Sequence, residues 1–384
     1  MIEEVIILGN HIQGLGISRI ANRLGYRVFL YNKSPLSVAR FSNTLYQFNK
    51  FKNLEHLLQL LISKNLEGRK TIIFPTNDQM VGFLADNYNV LSRKYVLSIS
   101  EKEITDIAFN KRKTYEAAHA AGVPYPVSYY PDSFDELQAL ESKLIYPVIL
   151  KPAVMFCFYK KAGKKVFFCD SKESLFENYW KAIQIIAPEE VIIQEMLPGG
   201  APCLYSFASY ASKGKVKGSF IANRIRQKPM DFGVATTFAR TVVNEKVSLL
   251  ARKFLEHINY SGLSEVEFMF DVRVNEYKLI EINPRTWKWH TMSNKVGINL
   301  IKMLIDDYDG KEISEIENKM ENIGWIEQLT DTFVAISEIL KGKMKLKEYM
   351  STLKIDKEFA TWDKKDPWPA IMYIFLSPYF YFTR

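Results

Sequence analysis

Glu281-Ile282-Asn283-Pro284-Arg285 sets a carboxylate, an amide oxygen and a guanidinium two residues apart. At the two-residue repeat of a strand, positions 281, 283 and 285 leave the same face. Upstream, Val266-Glu267-Phe268 lies in a second strand-like run, and Val274-Asn275-Glu276-Tyr277-Lys278 offers a turn between the runs. A hairpin would bring Glu267 beside Glu281. Hard oxygen donors grouped this way suit Mg²⁺, and an adjacent arginine suits a phosphate. The chemistry indicated is the handling of a nucleoside triphosphate with a divalent metal. The plain alternative is a solvated hairpin carrying ordinary surface charge.

Such a hairpin needs a scaffold. Val5-Ile6-Ile7-Leu8-Gly9 reads as a buried strand, residues 17–25 as a helix ending at glycine, and Tyr26-Arg27-Val28-Phe29-Leu30 as the next strand. This β-α-β order implies a parallel sheet. Gly9, Gly14 and Gly16 hint at a dinucleotide-dependent oxidoreductase, but their first spacing is too long for G-x-G-x-x-G, and Tyr31-Asn32-Lys33 puts no acid after the second strand. Thr71-Ile72-Ile73-Phe74 is a third strand. Thr76, Asn77 and Asp78 follow it, either at the ligand-binding end of a parallel sheet or as a helix cap.

Farther on, residues 111–121 read as a helix closed by Gly122. Val148-Ile149-Leu150-Lys151 is a strand with a lysine at its end, and Val166-Phe167-Phe168 is another. Ser171 caps a helix over residues 172–182, and the strand 191–196 stops at Pro198-Gly199-Gly200. Strands near 204–211 and 215–223 and a helix near 246–258 precede the hairpin. Residues 1–110 therefore read as parallel α/β, and residues 111–310 as α+β with antiparallel strands.

The 384 residues suffice for two or three domains, and 47% hydrophobic with 24% charged residues is the balance of a globular protein. The net charge of +8 has no nucleic-acid motif beside it, so no nucleic-acid partner is expected. Cys157, Cys169 and Cys203 form neither a C-x-x-C pair nor an even disulfide set. Met1-Ile2-Glu3-Glu4 has acids where a signal peptide carries basic residues. A cytoplasmic location is the expectation.

Asn110-Lys111, Gly122-Val123-Pro124-Tyr125-Pro126, Val148-Ile149-Leu150-Lys151-Pro152, Gln194-Glu195-Met196-Leu197-Pro198-Gly199, Val266-Glu267-Phe268 and Glu281-Ile282-Asn283-Pro284-Arg285 together resemble the ATP-grasp superfamily in order and spacing, over residues 1–310. Within it the chain is most similar to the predicted carboxylate–amine ligases akin to D-aspartate ligase, where Glu-Ile-Asn-Pro-Arg is likewise followed by an aromatic, here Trp287. The resemblance implies a Rossmann-like pre-ATP-grasp domain over residues 1–110, a central subdomain over 111–200, a catalytic subdomain over 201–310 and a C-terminal extension over 311–384. Two antiparallel sheets would clasp ATP. The implied reaction is ligation of a small-molecule carboxylate to an amine through an acylphosphate, with an amino acid or a cell-envelope precursor as substrate. ATP and Mg²⁺, or Mn²⁺ in its place, are the implied cofactors, and a homodimer is the family expectation.

By the same resemblance, Lys111 and Lys151 hold the triphosphate and Glu195 and Met196 form the hinge strand that reads adenine. Glu267, Glu281 and Asn283 hold the metal, and Arg285 steadies the γ-phosphoryl group. Arg224 and Arg226, two apart on one strand, are candidates to clamp a substrate carboxylate or phosphate. Trp287, Trp289 and His290 are candidates for the acceptor pocket, with plain packing as the other reading.

The sequence departs from the family pattern twice. The stretch 153–165 holds a single glycine where a glycine-rich phosphate loop is usual, and four lysines stand in it, with Lys165 the first choice as a phosphate contact. Ala201-Pro202-Cys203 stands where an acid would bind ribose. These departures favour the alternative of a non-catalytic nucleotide-binding module with an assembly or regulatory role. The lysine-rich region 311–365 and the aromatic tail after Asp366-Pro367-Trp368-Pro369 suit either peripheral membrane contact or packing on the body. Pro369 and Pro378 are expected to keep any helix there short.

Overall fold

A strand that carries an unbroken apolar run, here residues 5–8, must be covered on both faces. Ile2–Leu8 (β1) is such a strand and forms the centre of a five-stranded parallel sheet. Its neighbours are Arg27–Asn32 (β2), Gln47–Lys50 (β3), Lys70–Pro75 (β4) and Val96–Leu97 (β5), in the order 3-2-1-4-5. The order in which strands are added reverses between β1 and β4, which opens a crevice at their carboxyl ends. The structure is a computed structural model, and it describes residues 1–154, 158, 161–230, 233 and 235–383, with side chains as far as Phe380.

A four-stranded antiparallel sheet follows, built from Ser128–Tyr129 (β6), Val148–Pro152 (β7), Phe167–Cys169 (β8) and Val191–Glu195 (β9), in the order 6-9-7-8. It has a core of its own around Leu137, Val148, Leu150, Leu175, Tyr179 and Val191. The helix Lys172–Ile183 that covers it starts with the expected cap, Ser171 and Ser174 bonding reciprocally as a capping box.

The third sheet has eight strands. Leu204–Ser212 (β10), Lys215–Lys228 (β11), Ala235–Val242 (β12), Gly262–Asp271 (β13) and Glu276–Asn283 (β14) are antiparallel in the order 14-13-10-11-12. Ile316–Glu317 (β15), Gly324–Ile326 (β16) and Lys357–Phe359 (β17) add to it, so residues beyond 310 are built into this sheet. The helix Lys111–Ala120 packs Tyr115 and Ala118 into the core beneath it. Another core joins Leu15 and Ile17 of the first unit to Trp287, Trp289 and Leu304, which binds the parallel sheet to the large one.

The early glycines serve this packing. A Cβ on Gly9, whose φ is +96°, would lie 2.3 Å from Thr76 Oγ1. One on Gly16 would lie 2.6 Å from His290 Cε1. Close approach of backbone to neighbour accounts for them without a dinucleotide.

The tail corrects one expectation. Trp368–Thr383 is a single helix with Pro378 inside it. Pro369 sits in the first turn, where no backbone donor is needed. Pro378 leaves the Ile374 carbonyl without its helical partner, and Ser377 Oγ donates to that oxygen at 2.8 Å. The approach to the helix is tied to the body: Asp366, 2% exposed, accepts from Arg19 Nε at 2.9 Å, Ser42 Oγ at 2.6 Å and Asn43 N at 2.9 Å.

Candidate active site

Glu267 and Glu281 face each other across the β13–β14 ladder, and Glu265 faces Asn283. The turn between the strands lies at 272–275, with Asn275 at φ +56°, earlier than the sequence suggested; Tyr277 and Lys278 are already in β14. Glu267, Glu281 and Asn283 stand at the wall of a groove of about 680 Å³ between the four-stranded and eight-stranded sheets. Lys111, Lys151, Lys165, Glu195, Met196, Arg224, Glu267, Glu281, Asn283 and Arg285 line it.

The carboxylates are paired; Glu265 and Glu267 are buried and Glu281 is half-buried. Arg224 NH2 reaches Glu265 at 3.0 Å and also Glu267, while its Nε is buried with no acceptor among the described residues. Asn283 Nδ2 donates to Glu265 at 3.2 Å and to Glu267 at 3.1 Å. Lys111 Nζ lies 3.2 Å from Glu281. Burial pushes Glu267 well above the usual carboxylate range, with Arg224 opposing and Glu265 adding to the rise. Burial would raise Glu281 as well, but Lys111, Lys165 and Arg224 together outweigh it and hold this carboxyl far below that range. Arg285 donates from Nε to Asp78 Oδ1 at 2.6 Å and from NH2 to Asn283 Oδ1 at 3.1 Å.

Glu267, Glu281 and Asn283 Oδ1 are hard oxygen donors, and two of them already neutralise cationic side chains, which is the donor chemistry Mg²⁺ takes. Among the described residues no three His, Cys, Asp or Glu side chains form a self-sufficient metal cage. A set of two carboxylates and an amide fits an ion that completes its shell with phosphate oxygens and water, as Mg²⁺ does.

On the opposite wall Lys151, 3% exposed, donates to Tyr115 Oη and to Gln194 Oε1, each at 2.8 Å. Burial, with Lys111 adding repulsion, lowers its ammonium to about 7. The unfolded chain therefore holds more protons between about 7 and 10.5, and stability rises with pH across that window. A triphosphate beside Lys151 would restore its charge. ATP affinity is thus expected to be flat below pH about 7 and to weaken above it, by at most about tenfold per pH unit. Titration calorimetry across pH checks this, and the slope should vanish in Lys151→Met.

The hinge differs in one respect from expectation. The Met196 side chain lines the groove, yet its N–H donates to Pro147 O at 3.3 Å. The Glu195 carboxylate clasps the two sheets together: it accepts from Val127 N at 2.9 Å, Lys278 Nζ at 2.6 Å and Arg273 NH2 at 2.7 Å. After the hinge, Gly199, Gly200, Ala201 and Leu204 line the groove. Met155, Phe156, Cys157, Tyr159 and Lys160 of the glycine-poor stretch lie outside the described residues.

Arg226 is a correction. The β11–β12 pairing shifts register between Arg224 and Arg226, so the two do not share a face. Arg226 is 1% exposed, bonds Asp331 at 2.9 and 2.8 Å, and lies 4.5 Å from the Phe238 ring centre. It is part of the packing between β11 and the helix Gln328–Leu340, away from the groove. Trp287, Trp289 and His290 are likewise core residues; His290 Nδ1 bonds Trp287 O at 2.7 Å, and burial lowers the ring to about 4, so it stays neutral. Glu265 was not singled out from the sequence, although its two-residue step from Glu267 puts both on one strand face.

Residues 108–287 match the family model of the ATP-grasp domain. The chain is 23% identical over 318 residues to D-aspartate ligase of Enterococcus faecium (strain Aus0004), covering 79% of this chain and 76% of that one. In fold it is similar to N5-carboxyaminoimidazole synthetase from Staphylococcus aureus complexed with ADP, at TM-score 0.67 and 16% identity over 88% of this chain and 86% of the other. The biotin carboxylase domain of Hydrogenobacter thermophilus 2-oxoglutarate carboxylase, in complex with MgADP, gives TM-score 0.66 at 17% identity, covering 82% and 72%.

Proposed function

We propose, from the match of residues 108–287 to the ATP-grasp domain, that this chain is an ATP-dependent ligase joining a carboxylate to an amine. The observation that carries the reading is convergence. Three oxygen donors, two arginines and three lysines from separate elements meet in one groove of about 680 Å³ between two sheets. The donor carboxylate takes the γ-phosphoryl group of ATP to become an acylphosphate; the amine then displaces phosphate. Lys111, Lys151 and Lys165 hold the triphosphate as point charges. Arg285 and Arg224, whose Nε lacks a partner among the described residues, steady the phosphoryl group in transfer. Glu267, Glu281 and Asn283 would hold Mg²⁺, and the same oxygen donors suit Mn²⁺. When bound, the metal neutralises charge on the transferred group. Likeness to D-aspartate ligase supports an amino acid as one of the two substrates, with D-aspartate the first to try.

The test is ADP release with ATP, Mg²⁺ and pooled amino acids and short peptides, with mass spectrometry of the product. Release that requires both a carboxylate and an amine supports the ligase. Tight ATP binding with no turnover against any pool would instead make the chain a non-catalytic nucleotide-binding module.

A second partner is proposed for the tail. Among the described residues no helix is long and apolar enough to cross a membrane. Yet the last helix leaves Trp368 58%, Ile374 61% and Phe375 73% exposed, and Lys341, Lys345 and Lys347 are exposed nearby in sequence. Apolar groups with lysines suit the surface of an anionic bilayer. The chain is expected to sediment with phosphatidylserine vesicles and W368S/F375S to remain in solution; absence of binding by both ends the idea.

A further inference from the structure

We propose that Asp78 seats the amino group of the acceptor substrate, a proposal that rests on the ligase reading above. Three polar side chains follow β4 at the crevice of the parallel sheet, and the fold uses two of them. Thr76 Oγ1 donates to Leu8 O at 3.0 Å, and Asn77 caps the next helix by accepting from Met80 N at 3.0 Å. Asp78 does neither. It lines the groove with its side chain 40% exposed, and among the described residues it is the one charged group that residues 1–110 give to that wall. Its Oδ1 accepts from Arg285 Nε at 2.6 Å, while its Oδ2 has no protein donor among the described residues.

The charge layout gives this open oxygen a task. An amine acceptor arrives as an ammonium ion and needs an anion to enter a groove rich in lysine and arginine. Glu265 is occupied by Arg224 and Asn283, Glu195 by Val127 N, Lys278 and Arg273, and Glu267 and Glu281 belong to the metal set. Asp78 remains. It also stands in the right place, because the guanidinium of Arg285 bridges it to Asn283 Oδ1, 3.1 Å from NH2. An amine on Asp78 is therefore one guanidinium away from the phosphoryl chemistry, where attack on the acyl carbon requires it. In that attack the C–N bond forms and the acyl C–O bond to phosphate breaks, with the electron pair leaving on phosphate. One ammonium proton departs with the phosphate, and the other passes by way of Asp78 to water.

Hydroxylamine tests the assignment, because it is uncharged at pH 8 and needs no carboxylate to seat it. The carboxylate found by the ADP screen is given to the wild-type chain and to Asp78→Asn, which keeps an acceptor for Arg285. Hydroxamate is measured with hydroxylamine, and amide with whichever amine the screen returns. In Asp78→Asn the KM for the amine should rise about 10- to 100-fold, the worth of a charge-assisted hydrogen bond, and hydroxamate formation should fall by far less. An unchanged amine KM overturns the proposal. Equal loss of hydroxamate and amide also overturns it, since Asp78 would then merely anchor Arg285. A wild-type chain that makes neither product from any carboxylate overturns the ligase reading itself, a result distinct from both.

Discussion

Glu281→Ala is expected to lower substrate-dependent ADP release by roughly 10³-fold while ATP still binds. The carboxylate lies 3.2 Å from Lys111 and opposite Glu267. Its removal takes one oxygen donor from the metal set and frees Lys111, Lys165 and Arg224 from their shared anion. The groove then becomes more positive, so metal-free ATP should bind at least as tightly as to the wild type. Loss of turnover with retained or improved ATP affinity in EDTA is the signature of a metal ligand, and a plain folding defect would lower both. Turnover above a tenth of wild type would remove Glu281 from the chemistry.

The second large effect lies outside the groove. Arg226 and Asp331 are 1% and 0% exposed, so Arg226→Met should destabilise the fold by about 3–5 kcal/mol, because a buried carboxylate is left without its cation. Adding Asp331→Leu should recover most of that loss, since an apolar pair of similar size pays no desolvation. Urea unfolding measures both. ATP affinity in the double variant should match the wild type; a large drop would return Arg226 to the site.

These two arginines show where sequence reading reached its limit. The two-residue repeat brought Glu281 and Asn283, both in β14, to the groove, whereas Arg285 reaches it from a bend past the end of the strand. The same rule failed for Arg224 and Arg226, because an irregularity in the β11–β12 pairing lies between them, and no residue type announces it. Lys111 and Lys151 were singled out by resemblance to the ATP-grasp pattern, and they stand at a helix start and near a strand end beside the groove. The fixing of Glu195 by Lys278 and Arg273 was not, since it depends on how the two sheets approach each other. Pro378 was read as a helix stop, and the Ser377 hydroxyl that relieves it is a local device too small for a breaker rule to weigh.

The four-stranded sheet has its own apolar interior, and its ties to the large sheet across the groove include the ionic contacts of Glu195 with Lys278 and Arg273. A unit of this kind can rock without exposing oil to water, and the barrier to rocking is then ionic. Added salt should loosen it and speed the escape of bound nucleotide, whereas cooling, which weakens apolar cohesion, should matter little.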